Sequence, residues 1–124
     1  MTATFEEIKK LYKQLNNGRG YSFKELEIAP SDSQGVYVIL DVKGTVLHVG
    51  KTSRAKKGLR QRLNNHLRGQ SSFAKKFLKQ NGKELREGYI FKYIIVDDSK
   101  LRTLLEAYAI GCLCPEHLGT GAID

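Results

Sequence analysis

The chain has 124 residues, with 21 Lys or Arg against 13 Asp or Glu and a net charge of +8. That length suits one compact domain with one core. No run approaches the roughly 20 apolar residues that cross a bilayer, and Met1 to Leu15 lacks the apolar stretch of a secretory leader. A cytoplasmic protein without a membrane partner is the expectation.

In chain order, Phe5, Ile8, Leu11, Tyr12 and Leu15 recur at helical spacing. Thr4 followed by Glu7 has the form of a capping box, and Asn16-Asn17-Gly18 predicts a stop with a left-handed cap. Arg19 to Gln34 is mixed, with a loop at Pro30-Ser31-Asp32-Ser33. Gly35 to Asp41 and Thr45 to Val49 read as strands, and Lys43-Gly44 between them predicts an antiparallel hairpin. A polar, basic loop from Gly50 to Gly58 leads to a helix carrying Leu59, Leu63 and Leu67. Gly69 stops that helix. Ser71 or Ser72 caps another, with Phe73, Phe77 and Leu78 inward and Gly82 as its breaker. Gly88 to Val96 predicts a third strand buried on both faces. Asp98 or Ser99 caps a last helix with a stripe of Leu101, Leu104, Leu105, Tyr108 and Cys112, ended by Pro115. The order predicts an α+β fold, in which helices cover a small, mainly antiparallel three-stranded sheet.

The positive charge is segregated. Val42 to Lys83 holds twelve Lys or Arg and no acid, while the rest of the chain holds nine bases and thirteen acids. Such a segment suits a polyanion partner, nucleic acid above all. Read blandly, it is a solvated basic face, and it lacks the long apolar opposite face of a membrane-surface helix. Cys112 and Cys114 stand too close in sequence for an ordinary disulfide and fit reduced cytosolic thiols. With Glu116 and His117 nearby they resemble a zinc site only superficially, because structural zinc takes four ligands at wider spacings.

Phosphodiester hydrolysis needs a metal, a positioned water and cations for the developing charge. Acids are scarce around the basic segment, so one carboxylate reaching it would stand out. Gly35-Val36-Tyr37, His48-Val49-Gly50, Lys51-Thr52, the helix with Arg62-Leu63 and His66, and Glu106 on the last helix follow one another in this order. From Gly35 to Gly121 this order resembles the GIY-YIG nuclease family. The resemblance implies residues 35–124 as the nuclease-like domain, and residues 1–34, which precede it, read as a helical appendage packed on the core. It implies Tyr37, Arg62, His66 and Glu106 as catalytic residues, with Glu106 the ligand of Mg²⁺ or Mn²⁺. His48 replaces the second-signature tyrosine and is expected to be catalytic in its place, its ring donating to a phosphate or helping to activate the water; no asparagine follows Pro115, where many members have one.

Each of these residues also has an ordinary reading. Tyr37 could be a half-buried strand residue, His48 a satisfied structural histidine, Arg62 one surface cation among many, and Glu106 an exposed helix acid. A tyrosine acting as base near neutrality must hand on its proton or have its pKa lowered by cations, for which Lys51 and Arg62 are the candidates. An imidazole at position 48 titrates near neutrality, so activity resting on it should vary between about pH 5.5 and 7.5. Arg62 and His66 share a helix face, while Arg60 and Asn64 point toward solvent or backbone phosphates. Lys51, Arg54, Lys56, Lys57, Arg60, Arg68, Lys75 and Lys76 would track a nucleic-acid backbone without reading sequence. The favoured expectation is a divalent-metal-dependent endonuclease acting on DNA. The alternatives are a degenerate member that binds nucleic acid without cutting it, and a subunit whose basic face meets an acidic protein.

Overall fold

The computed structural model describes residues 4–53, 58–81 and 84–118. Helix α1 spans Phe5–Asn16, and Thr4 Oγ1 accepts the Glu7 N–H at 3.1 Å, as the capping box requires. Its end differs from expectation. Asn17 is right-handed (φ −91°), and neither Asn17 nor Gly18 takes the left-handed conformation. The chain continues into β1, Tyr21–Ser22, and 3₁₀ turns over Phe23–Ile28.

Strands β2 (Gly35–Leu40) and β3 (Val46–Lys51) form the hairpin, with Tyr37 opposite Gly50 and Ile39 opposite His48. Asp41 Oδ1 holds the turn by accepting the N–H groups of Lys43 and Thr45, both at 2.9 Å. Pairing then shifts, because Leu40 faces Val46 and leaves Leu47 as an extra residue. A bulge of this kind turns two successive side chains to one side. Leu47 joins the core beside Phe73, and the His48 ring stacks on Phe73 at 4.8 Å.

After α2 (Leu59–Leu67), residues Phe73–Leu78 wind as a π-helix that runs into the short α3 (Lys79–Asn81). Strand β4 (Ile90–Ile95) and helix α4 (Ser99–Leu113) follow. The antiparallel sheet has four strands in the order β1-β4-β2-β3, one more than expected. The extra strand has two residues, too few to show a period. Its anchor is Tyr21, whose ring lies 5.8 Å from Phe91 and 5.9 Å from Tyr93. Strand β4 is not buried on both faces throughout: among its residues only Phe91 is fully buried, and Ile95 stays exposed.

The sheet separates two apolar layers. Tyr37, Ile39 and Phe91 pack with Phe23, Leu59, Leu63, Phe73 and Leu78 on one side. Val36, Val38 and Val49 pack with Ile8, Leu15, Leu105 and Ala109 of α1 and α4 on the other. The buried stripe of α4 is Arg102, Leu105 and Ala109, whereas Leu104 and Cys112 are exposed. The stripe therefore lies to one side of the predicted one, and a charged residue sits within it. Among the described residues, no helix is long and apolar enough to cross a membrane.

Candidate active site

Tyr37 lies in the middle of β2 on the α2 side of the sheet and is fully buried. Its ring passes directly over Gly50, and a methyl group there would overlap the phenol oxygen. The second signature therefore ends in glycine to make room for the tyrosine of the first. The Tyr37 hydroxyl meets His66 Nε2 at 2.5 Å, and His66 Nδ1 meets Ser71 Oγ at 2.6 Å. Ser71 Oγ also accepts the Ala74 N–H at 3.1 Å, so this serine caps the π-helix and orients the imidazole together.

The Arg62 guanidinium lies near enough to the Tyr37 hydroxyl to act on it electrostatically. The phenol O–H donates to His66 Nε2, which makes His66 the Nδ1–H tautomer, and that N–H donates to Ser71 Oγ. This proton assignment follows from the network. Burial pushes the Tyr37 pKa up to about 12, with the Arg62 guanidinium opposing and the Glu106 carboxylate reinforcing it. Lys51 does not figure in this balance, and Arg62 does not win it, so Tyr37 keeps its proton near neutrality. Any base function must pass that proton to His66. Burial and the nearby His48 and Arg62 hold the His66 pKa well below its usual value, so its ring is neutral, with its Nε2 lone pair available to the phenol hydrogen bond and a low affinity for a second proton.

Glu106 reaches the same place from α4. It is half-buried; burial raises its pKa, while Lys51 and Arg62 pull it down. A hydroxyl, a guanidinium, an ammonium and a carboxylate from β2, α2, β3 and α4 thus form one electrostatic group. No trio of His, Cys, Asp or Glu among the described residues could hold a metal. The single carboxylate fits a hard divalent ion that keeps most of its water, such as Mg²⁺, and does not fit a structural zinc.

His48 is buried, with its Nδ1 3.2 Å from His117 Nδ1 and its Nε2 reaching no partner. Burial, with His117 and Arg62, lowers its pKa to about 3. It therefore does not titrate between pH 5.5 and 7.5, which corrects the expectation from its unperturbed value. His117 arrives on the segment after α4, whose Glu116 and His117 N–H groups donate to Val46 and Leu47 on the free edge of β3.

The basic residues divide. Arg68, Lys75 and Lys76 are exposed, and Lys51 is half-buried beside Glu106. Arg60 uses Nε and Nη2 on the carbonyls of Ala29 and Glu27 at 2.9 and 2.7 Å, so it ties α2 to the 3₁₀ turns. Arg54, Lys56 and Lys57 lie outside the described residues. Sequence reading missed the role of Ser71 in orienting His66 and missed Arg102 altogether, because neither belongs to a motif.

No family model matches the chain. No curated protein matches it either. Among solved structures it is similar to the GIY-YIG N-terminal endonuclease domain of UvrC from Thermotoga maritima, bound to its catalytic magnesium. The identity is 24%, the TM-score 0.51, and the alignment covers 91% of this chain and 97% of that one. A point mutant of the same domain, also bound to its catalytic divalent cation, matches at 24% identity and TM-score 0.51 over 91% and 96% of the two chains. This likeness covers the α+β framework nearly end to end: the chain has the GIY-YIG endonuclease-domain fold.

Proposed function

We propose that this protein is a divalent-metal-dependent endonuclease that hydrolyses phosphodiester bonds of DNA. The observation that carries the reading is the convergence of Tyr37, Arg62, Lys51 and Glu106 from four separate elements. The magnesium-bound endonuclease domain with the same fold adds support. In this reading Glu106 holds Mg²⁺ or Mn²⁺, which supplies Lewis-acid polarisation of the phosphate. Arg62 grips a phosphate oxygen through its planar donors. The phenol oxygen accepts a proton from the attacking water as its own proton passes to His66, and Ser71 holds the imidazole for that transfer. Lys51, Arg68, Lys75 and Lys76 steer the backbone, joined by Arg54, Lys56 and Lys57. Residues 35–124 carry the site residues of the nuclease unit, residues 1–34 complete its framework with α1 and the edge strand β1, and the protein works in the cytoplasm, where Cys112 and Cys114 stay reduced.

One observation favours a second reading. His48 is packed into the core in place of the family tyrosine, and Tyr37 has no exposed surface. A chain that binds nucleic acid without cutting it would tolerate both. A supercoiled-plasmid assay with Mg²⁺ or Mn²⁺ separates the two readings. The endonuclease reading expects nicking that disappears in Glu106→Ala and in EDTA. Salt-sensitive DNA binding with no nicking would replace it by the binding-only reading.

A further inference from the structure

Arg102 is only 3% exposed, on the buried stripe of α4, and no carboxylate among the described residues lies within ion-pair distance of it. Its donors go to backbone carbonyls. Nε donates to Thr52 at 2.9 Å, and Nη1 donates to Val96 at 2.9 Å and Asp97 at 3.1 Å. Burying an unpaired charge is costly, and an apolar side chain would serve for packing alone. What the guanidinium adds is geometry. Its planar fork fixes direction at several acceptors simultaneously, which an ammonium cannot do.

The three carbonyls lie where the site is assembled. Thr52 follows Lys51 at the end of β3, and Val96 and Asp97 lead from β4 into α4. Thr52 is tied to the start of β2, because its N–H donates to the Gly35 carbonyl and its Oγ1 accepts the Gly35 N–H, both at 3.0 Å. The Val96 N–H donates to Gln34 at 2.9 Å. Arg102 therefore joins α4 to the strand ends that lead to Tyr37 and Lys51. Glu106 stands four residues further along the same helix, on the same face.

We infer that Arg102 is a positioning residue: its buried guanidinium sets the rotation of α4 against the ends of β3 and β4, and so places the Glu106 carboxylate beside Lys51 and Arg62. The inference rests on the endonuclease reading, since it assigns Arg102 a part in holding the metal carboxylate.

The full chain is compared with Arg102→Lys, Arg102→Gln and a control, Leu15→Ala, which empties a core position on α1 whose side chain takes no part in the clamp's hydrogen bonds. Three quantities are read: thermal midpoint, Mn²⁺ affinity by electron paramagnetic resonance, and the Mg²⁺ concentration that half-saturates nicking. Both Arg102 variants should weaken Mn²⁺ binding and raise half-saturation by about tenfold, with folding retained. The control should lose thermal stability and keep both metal readouts. Arg102 variants that melt lower but match wild-type metal affinity within about twofold would overturn the positioning role, as would failure of both to fold. A wild type that neither binds Mn²⁺ nor nicks would overturn the endonuclease reading and this inference with it. A wild type that does both while the variants follow the control would overturn this inference alone.

Discussion

At the scale of single residues, the candidate site is a problem of close contact. Gly50 has no side chain because the Tyr37 phenol fills that space. Gly50→Ala should move the hydroxyl off His66 and cut nicking by about a hundredfold, with circular dichroism unchanged; displacements near 1 Å in a catalytic group cost that much. Tyr37→Phe removes the transferable proton and should lower the rate by about 10²- to 10⁴-fold without weakening DNA binding. A Tyr37→Phe protein that nicks at the wild-type rate would end the relay through His66. His48 gives a contrasting expectation. With its pKa near 3 it stays neutral across the working range, so His48→Gln should leave the shape of the pH–rate profile above pH 5.5 unchanged. Tyr37, Arg62, His66 and Glu106 were legible as a set from their order along the chain. Their protonation was not, because desolvation depends on neighbours contributed by distant segments.

At the scale of elements, the anchoring of α2 matters most, since it carries both Arg62 and His66. No side chain caps its start. Instead the N–H groups of Gly58, Leu59 and Arg60 donate to the carbonyls of Ser31, Ser33 and Pro30 at 2.7, 3.0 and 3.1 Å. Gly58 passes so near the Ser33 backbone that any β-carbon would overlap it. Gly58→Ala should therefore lower the thermal midpoint and reduce nicking together, because main chain cannot give way as a flexible side chain can. A variant with both properties intact would show that the loop at 30–33 does not set the position of α2. Helix periodicity located α1, α2 and α4 within a residue or two. It missed β1, which is too short to show a period, and the bulge at Leu47, which breaks the alternation on which strand reading depends.

At the scale of the whole molecule, charge and acid sensitivity follow from the same layout. If about six phosphates are neutralised, DNA affinity should fall roughly 10³-fold between 50 and 200 mM salt, as measured by fluorescence anisotropy. A shallow salt dependence would favour an acidic protein as the partner instead. All three histidines of the chain, His48, His66 and His117, have pKa values lowered by burial. As pH falls below the unfolded value of about 6.5, the unfolded chain takes up protons that the folded chain refuses. Stability is thus fully present above that pH and is lost on acidification, by up to about 1.4 kcal/mol per pH unit for each of the buried His48 and His66 while it stays neutral, and by less for the more exposed His117. Urea melts from pH 7.5 to 4.5 should show this decline, and replacing His48 with Gln should flatten it.

The three long helices, the β2–β3 hairpin, the segregation of positive charge and the order of the site residues can be read from the chain alone. These depend on local periodicity and on spacing along one chain. The tertiary structure alone decided which groups meet, and meeting depends on register and rotation. The pairing of Tyr37 with Gly50 brings the hydroxyl to His66, and the bulge at Leu47 turns His48 into the core. A buried guanidinium on α4 reaches a strand end fifty residues away in sequence, a link that no local pattern records because its partners are backbone carbonyls common to every residue.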